Sequence, residues 1–391
     1  MALLAMAVAA GAGAAHLRSA PASASLEWGA GIGADTMRGL RNGVRNGRSM
    51  REGGRRVLRL VWCRSGGGEP DYEGGSDGVP SSVFIFGMGY TSLALANSLR
   101  KRGWEVAGTC RSEEKRSALE SRGFQAHRFN PDNDAECLRE EAIQDLHRST
   151  HIVSSVPPVG DFDCDPVLSS HREALVQAAS GGLQWVGYLS STSVYGDWQG
   201  GWVEEEIEPR PVDRKAVARR EAEKSWLQFG DEAGVCVHVF RLGGIYGPGR
   251  SALDTVRVSE KKLSTRQQLR GHKRFTSRVH VADICQVVVK AMESGQRTGR
   301  VYNVVDDDPS PRAEVMAYAR ALLYDEHENP PVTSDNELSE GSASAVANAS
   351  LVAEKRVSNR RVKEELQVEL LHPSFRSGLE AIASGSNAPF D

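Results

Sequence analysis

A glycine turn, Gly87-Met88-Gly89, follows the apolar run VFIF and precedes a segment in which leucines recur at helical spacing. Glycine has no Cβ, so the backbone at such a turn can pass close to a phosphate group. The N–H groups that open the following helix, at Tyr90 and Thr91, can then hydrogen-bond to the phosphate oxygens. The pattern predicts a strand–turn–helix unit that binds the pyrophosphate of a dinucleotide.

The next apolar segment, residues 104–108, ends in basic and hydroxyl residues instead of an acidic one. Sites that are specific for NAD place Asp or Glu at the end of the second strand, where it binds the ribose hydroxyls. Here Arg111, Ser112 and Lys115 occupy that region, and a guanidinium attracts a 2′-phosphate that a carboxylate would repel. The sequence therefore predicts NADP as the cofactor. The alternative is that Arg111 is a surface charge that binds no ligand.

Other candidate site residues follow later apolar runs. Val156 is the last residue of the run HIVSSV, and Pro157 follows it. Ser191 and Tyr195 follow the run WVGYL of residues 185–189. In a parallel sheet the carboxyl ends of the strands meet at one edge, which is where ligands bind. We therefore predict Val156 and Pro157 as cofactor contacts, Ser191 as a catalytic hydroxyl and Tyr195 as a substrate contact.

The elements that position these residues alternate between strands and helices. This alternation predicts an α/β fold, a Rossmann-type doubly wound parallel sheet within residues 82–383. Asp283 is predicted to cap a helix over residues 283–293. A small C-terminal α-rich substrate lobe is expected mainly from residues 200–230, 250–277 and 310–383.

The amino-terminal region differs in composition from the rest of the 391-residue chain. Its first 64 residues hold ten arginines, no lysine and three acidic residues, with many small residues. This is typical of an organelle transit peptide, and the uncharged start favours the plastid stroma over the mitochondrion. The glycine-rich residues 65–81 are predicted to be a linker. Residues 1–64 carry a net charge of +7. Because the whole chain carries −3, residues 65–391 carry −10.

Composition also limits the partners. A mature charge of −10 does not favour nucleic acid, and the amino-terminal apolar stretch is too short to span a membrane. The six cysteines are scattered without a C-x-x-C pair, which argues against a metal site. The expected partner is a small-molecule substrate, and a homodimer is left open.

Five stretches in order resemble one family: the glycine turn, SSTSVYGD, RLGGIYGPG, SRVHVADI and VYNVV. Together they resemble the extended short-chain dehydrogenase/reductases, also called NAD-dependent epimerase/dehydratases, over residues 82–383. SSTSVYGDWQGGWVEEE with RVHVADI most resembles the atypical YeeZ-type branch.

The resemblance implies a proton shuttle made of a Ser or Thr and a Tyr-x-x-x-Lys pair. Ser191 matches the first position. When the following helix is aligned on Ala222-Glu223, Lys215 stands where the tyrosine is expected and Arg219 where the lysine is expected. Tyr246, in the loop RLGGIYGPG, and Tyr195 are substitutes for the missing tyrosine or else packing residues, and the catalytic candidates are Ser191, Lys215 and Tyr246. Arg278 is a candidate for holding a substrate phosphate or carboxylate, or for a structural ion pair.

The sequence thus predicts an NADP(H)-binding, atypical extended dehydrogenase/reductase that acts on a small polar or sugar-like metabolite. Two alternatives stay open. One is a catalytically inactive NADP(H)-binding redox sensor or assembly factor, which the missing Tyr-x-x-x-Lys pair favours. The other is a nucleotide-sugar epimerase/dehydratase, against which the missing tyrosine counts.

Overall fold

The structure is a computed structural model that describes residues 81–132, 137–158, 165–257, 273–324 and 353–391. All of them belong to one compact unit, Gly75–Asp391. The predicted transit peptide, residues 1–64, and all but the last residue of the predicted linker lie outside the described residues. Two parts of the predicted substrate lobe, residues 258–272 and 325–352, also lie outside them.

Seven parallel strands form the central sheet and confirm the predicted doubly wound architecture. They are β1 (Ser82–Phe86), β2 (Glu105–Cys110), β3 (Gln125–Arg128), β4 (His151–Ser154), β5 (Trp185–Ser191), β7 (Cys236–Leu242) and β10 (Arg300–Val304). Their order across the sheet is β10-β7-β5-β4-β1-β2-β3. The chain winds outward in one direction from β1 to β3 and in the other from β4 to β10. The crevice for a ligand in such a sheet lies between β1 and β4, at their carboxyl ends.

Ten helices and one 3₁₀ turn are described. The helices on the sheet are α1 (Tyr90–Lys101), α2 (Glu113–Glu120), α3 (Glu140–Arg148), α4 (Pro166–Gly181), α5 (Arg214–Ala233) and α7 (Val281–Glu293). The helices α6 (Ala252–Arg257), α8 (Arg312–Leu323), α9 (Arg360–Leu366) and α10 (Phe375–Ala383) belong to the C-terminal region, and the 3₁₀ turn is Thr192–Tyr195.

Strand β1 is buried on both faces, as a central strand of a parallel sheet must be. Val83 and Ile85 pack with apolar residues of α1 and α7, whereas Phe84 and Phe86 pack with those of α3, α4 and α5. Alternate side chains of one strand therefore join two separate apolar layers. Each fully buried phenylalanine contributes about 1.5–3 kcal/mol relative to an exposed one.

The C-terminal region adds its own apolar cluster and two short parallel pairs of strands. Side chains of α6, α8 and α10 form the cluster, together with Tyr246. One pair joins β6 (Trp202–Val203) to β11 (Arg356–Val357), and the other joins β8 (Gly244–Tyr246) to β9 (Arg278–His280). β6 follows the carboxyl end of β5 in the chain, and β8 follows that of β7.

The prediction that Asp283 caps a helix was wrong. Helix α7 begins two residues earlier, and the His280 imidazole caps it by accepting the Ala282 N–H at 3.2 Å. The Asp283 carboxylate accepts the backbone N–H groups of Leu371 and His372 instead, at 2.6 and 3.2 Å. A tertiary contact with the chain's last segment thus uses the carboxylate that local spacing assigned to the cap.

Candidate functional site

The glycine turn is fixed to the neighbouring strand by backbone and side-chain hydrogen bonds. The Gly87 N–H donates to Thr109 Oγ1 at 2.9 Å, and the Met88 N–H donates to the Thr109 carbonyl at 2.7 Å. Gly87 has φ +85°, and a Cβ built there would lie 3.0 Å from Ser155 Oγ. Both the left-handed backbone and the close approach require glycine at this position.

Gly89 ends the turn as the N-cap residue of α1 and is exposed. It has no side chain that could accept the first N–H groups of the helix, and α1 has no acidic residue in its first turn. A Cβ built on Gly89 would meet no described atom within 4 Å. The helix N-terminus at Tyr90 and Thr91 is therefore open to an anion, and the partial positive charge of the helix end favours one.

The basic residues after β2 lie at the same edge of the sheet. Arg111 is exposed, and its Nη1 is 3.3 Å from Asp132 Oδ2, whose side chain is also more than half exposed. Ser112 caps α2 by accepting the Lys115 N–H at 3.3 Å. Because Thr109 holds the glycine turn and Arg111 follows two residues later, the turn and the backbone of Arg111 are neighbours in the fold.

The residues after β4 complete this edge. The Ser155 hydroxyl donates to the Gly87 carbonyl at 2.6 Å, which ties the end of β4 to the glycine turn. Val156 is buried and a Cβ on Gly87 would contact it, whereas Pro157 is exposed. The structure thus brings together the predicted cofactor residues from β1, β2 and β4.

Ser191 lies at the carboxyl end of β5, the strand that pairs with β4 on the side opposite β1. Its hydroxyl is partly exposed and accepts the Ser193 N–H at 3.1 Å. That bond leaves the Ser191 O–H hydrogen available to donate. A substrate carbonyl or alcohol at this edge could accept it.

The structure places Tyr195 inside the protein. Its side chain is fully buried, and its hydroxyl accepts a hydrogen bond from Arg241 Nη1 at 2.9 Å and donates to Asn303 Oδ1 at 2.8 Å. Burial raises the pKa of Tyr195, although Arg241 opposes the shift. The hydroxyl is engaged on both sides, so its role in this structure is to join three chain segments behind Ser191.

A buried ion pair continues this network. Arg241 holds the Glu223 carboxylate through Nε at 3.1 Å and Nη2 at 2.8 Å, and the Ser190 hydroxyl donates to the same carboxylate at 2.5 Å. Burial alone would lower the pKa of Arg241, but the bonds with Glu223 raise it. Sequence reasoning missed Arg241, although a single arginine in the apolar run VCVHVFRL was a signal for such a partner.

Arg278 is also buried, and its Nη1 donates to two backbone carbonyls, those of Thr276 at 2.8 Å and Ser310 at 2.7 Å. Arg278 therefore holds the backbone of the substrate lobe together in this structure.

A buried carboxyl group, Asp306, lies near Arg278. Asp306 is 3% exposed, and neither of its carboxylate oxygens has a hydrogen-bond partner among the described residues. Burial raises the pKa of Asp306 to about 8, although the positive charge of Arg278 opposes that shift.

The Epimerase family model, described as the NAD dependent epimerase/dehydratase family, matches residues 83–304, more than half of the chain. The chain belongs to the NAD dependent epimerase/dehydratase family. It is also 30% identical to protein YeeZ of Escherichia coli K12 over 169 residues, 43% of this chain. That match spans 60% of the YeeZ protein's length. The predicted family and its YeeZ-type branch are confirmed.

Several solved structures share the fold. A functionally unknown conserved protein from Silicibacter pomeroyi DSS is 32% identical, with a TM-score of 0.61, over 78% of this chain and 98% of that one. The UDP-glucuronic acid 4-epimerase from Bacillus cereus in complex with NAD is 17% identical, with a TM-score of 0.58 over 78% and 97% of the two chains. MoeE5 in complex with UDP-glucose and NAD is 19% identical, with a TM-score of 0.57 over 78% and 98%.

The two remaining catalytic candidates of this epimerase-family chain lie on different elements. Lys215 is exposed in the first turn of α5, which Asp213 caps by accepting the Ala216 N–H at 2.9 Å. Tyr246 ends β8, is 7% exposed, and donates to the Ser374 carbonyl at 3.3 Å. Burial raises the pKa of Tyr246, so its phenol stays neutral in the physiological range.

One further amine lies near the start of α5. Lys355 Nζ donates to the Gly196 carbonyl at 3.0 Å, and burial together with the charge of Lys273 lowers its pKa to about 8. Asp197 and Asp213 oppose that shift. Sequence reasoning missed Lys355 because it lies in no motif and is 159 residues away from Gly196.

Within the described residues, no group of three or more His, Cys, Asp or Glu side chains is arranged to hold a metal ion. In the same ranges, no helix combines the length and the apolar character that crossing a membrane requires.

Proposed function

We propose that this chain is an NADP(H)-binding, atypical extended dehydrogenase/reductase that acts as an oxidoreductase on a small polar or sugar-like metabolite. Family membership supports the nicotinamide dinucleotide. The observation that carries the choice of NADP is Arg111, which stands after β2 beside the glycine turn with its guanidinium exposed.

The residues at the carboxyl edge fit this cofactor. The open space at Gly89 and the free end of α1 suit a pyrophosphate, and Arg111 suits a 2′-phosphate, which would compete with Asp132 for the guanidinium. When bound, the cofactor supplies a hydride donor or acceptor. Ser191 would orient the reacting carbonyl or alcohol through its free O–H hydrogen.

The proton must come from elsewhere, because position 215 holds an exposed lysine. Tyr246 is held on a backbone carbonyl with a raised pKa, which makes it a poor acid in this arrangement. A water molecule above Ser191 or the amine of Lys355 could move the proton. An amine whose pKa is about 8 can exchange a proton near neutral pH.

The same observations favour a second candidate, a protein that binds NADP(H) without turnover and serves as a redox sensor or assembly factor. The family's tyrosine position holds the exposed Lys215 and its lysine position holds Arg219, so the Tyr-x-x-x-Lys pair is absent. A nucleotide-sugar epimerase is a third candidate, in line with the UDP-glucose and NAD bound by MoeE5. We further propose the plastid stroma as the location, to be tested by import of the labelled full-length chain into isolated plastids.

The cofactor proposal is tested by the variant Arg111→Ala. A lost charge-assisted bond of about 1.5–3 kcal/mol weakens NADPH binding roughly ten- to a hundredfold and leaves NADH binding nearly unchanged. Isothermal calorimetry on the chain from residue 65 onward measures both affinities. Arg116→Ala is the matched control, because Arg116 is occupied by Glu113 and Glu120 of its own helix. Equal losses for NADPH and NADH would refute the assignment of Arg111.

Turnover separates the first two candidates. The protein is incubated with NADPH deuterated at C4 and a plastid extract that supplies carbonyl metabolites. The oxidoreductase proposal expects transfer of deuterium to a metabolite, and Ser191→Ala should reduce that transfer by at least about tenfold. Binding of NADPH without any loss of deuterium would support the sensor instead.

A further inference from the structure

The loop that follows β8 is fastened to the first residue of α1. The Tyr90 hydroxyl donates to the Pro248 carbonyl at 3.0 Å. Gly247 and Arg250 exchange backbone hydrogen bonds of 3.2 and 3.0 Å, which close the loop into a tight turn. This contact, between residues 158 positions apart in the sequence, brings the loop to the open helix N-terminus next to the glycine turn.

Arg250 projects from that loop over the Tyr90 ring. The central carbon of its guanidinium lies 5.4 Å from the ring centroid, within the range of a cation–π contact. Phe390, from the end of the chain, packs against the same ring with a centroid distance of 4.9 Å. Tyr90 is thus held by its hydroxyl and by contacts with its ring, and it fixes where Arg250 lies.

The charge of Arg250 is available to a ligand. The residue is exposed, and in the described ranges no carboxylate lies within 4.0 Å of its guanidinium. The acidic group close to it in sequence, Asp254, is occupied by the N–H and hydroxyl of Ser251 at 2.7 and 2.6 Å. A guanidinium next to a helix end that lacks acidic residues creates a region of positive potential.

We propose that Arg250 binds a diphosphate held at the N-terminus of α1, so that the glycine turn and the loop after β8 grip the same group from two sides. This inference rests on the proposed dinucleotide site. The backbone N–H groups of α1 and the two parallel N–H donors of the guanidinium supply complementary contacts to the phosphate oxygens. The diphosphate at this helix end is that of the dinucleotide, and a nucleotide sugar, which carries the same group, serves as the comparison ligand.

Arg250→Ala, Arg250→Lys and the exposed control Arg257→Ala are compared by calorimetry with three probes: NADPH, UDP-glucose and 2′-AMP. 2′-AMP carries the phosphate that Arg111 would bind but has no diphosphate. We expect Arg250→Ala to weaken NADPH binding about tenfold or more and to leave 2′-AMP binding unchanged. Arg250→Lys should lose less, since it keeps the charge but not the paired donors.

The outcomes separate the two proposals. A loss confined to UDP-glucose would overturn the shared grip at the N-terminus of α1 and would place Arg250 on a nucleotide sugar instead. If Arg250→Ala binds both diphosphate ligands as the wild type does, the inference fails, while sensitivity of NADPH and 2′-AMP to Arg111→Ala still supports the dinucleotide site. If the wild type binds neither NADPH nor UDP-glucose, both proposals fail. Thermal unfolding confirms that each variant is folded.

Discussion

The cofactor side and the interior behind Ser191 are built by opposite means. On the cofactor side, backbone groups of the glycine turn are fixed by Thr109, only 22 residues away, and Gly89 and Arg111 stay exposed. Behind Ser191, the charged and polar side chains of Glu223, Arg241 and Tyr195 are buried and bonded to one another. One region keeps its polar groups free for a ligand, and the other uses them to hold the protein together.

This difference indicates where change is tolerated. Polar groups that face solvent can be exchanged at small cost to stability, because water replaces a lost partner. Polar groups in the interior cannot, because an orphaned buried charge has no substitute partner. We therefore expect variants on the cofactor side to alter binding and variants behind Ser191 to alter folding.

The largest effect is expected from Arg241→Met. The variant leaves the Glu223 carboxylate buried without its bidentate partner, which should lower the free energy of unfolding by about 3–5 kcal/mol. Urea denaturation measures the loss. The double variant Arg241→Met with Glu223→Leu should recover much of it, because both members of the buried ion pair are gone and Arg220, the other arginine beside Glu223, keeps its pair with Glu208. Glu221→Gln, which breaks only the exposed pair with Lys224, is the control and should cost less than about 1 kcal/mol. A loss below about 1 kcal/mol for Arg241→Met would remove the distinction between the two regions.

An intermediate effect, dependent on pH, is expected at Asp306. Its folded-state pKa of about 8 lies above the ordinary value of 3.8, so the folded protein favours the neutral carboxyl. The stability that this group contributes is present below pH 3.8 and is lost as the pH rises toward 8. Asp306→Asn should therefore gain stability relative to the wild type as the pH rises, by about 2 kcal/mol between pH 6 and pH 8.

Thermal unfolding between pH 6 and 8 isolates this contribution. Asp283, whose pKa burial raises to about 6, shifts stability in the same direction but mainly below that interval. The control Asp231→Asn changes an exposed carboxylate on α5 and should follow the wild-type profile. If the stability of Asp306→Asn and that of the wild type change in parallel with pH, burial does not raise the pKa of Asp306 in the folded protein.

The smallest effect on stability is expected on the cofactor side, where two glycines can be compared. Gly87→Ala places a Cβ at φ +85° and 3.0 Å from Ser155 Oγ, which should cost about 1–2 kcal/mol of stability. Gly89→Ala meets no described atom within 4 Å and should leave stability within about 0.5 kcal/mol of the wild type. It should nevertheless weaken NADPH binding, because the Cβ fills the approach to the helix end. Unchanged NADPH affinity in Gly89→Ala would contradict the placement of the pyrophosphate.

The cofactor side could be predicted from the sequence because its determinants are local. The apolar run of β1, the turn at Gly87 and the basic residues near Arg111 fall within 30 residues, and each has a residue type that the geometry demands. The strands and most helices of the sheet were predictable for the same reason. Helix α3 was not predicted, and the cap at His280 was misassigned because a tertiary contact took Asp283.

The interior behind Ser191 could not be predicted, because its partners are far apart in the chain. Tyr195 bonds to Asn303 across 108 residues and to Arg241 across 46. A sequence pattern cannot show which of many tyrosines and arginines meet over such separations. The position of Lys355 escaped prediction for the same reason, since only the fold places its amine on Gly196.

The pairing of β6 with β11 sets an order of assembly during synthesis. Glu354 donates its N–H to Asp197 Oδ1 at 2.8 Å across 157 residues, so the loop that follows Tyr195 lacks its partner until the ribosome has made nearly the whole chain. At about 5–20 residues per second, that wait lasts about 8–30 s. The hydrogen bonds that fix the glycine turn reach no farther along the chain than Ser155, so a nascent chain can form them long before the loop after Tyr195 gains its partner.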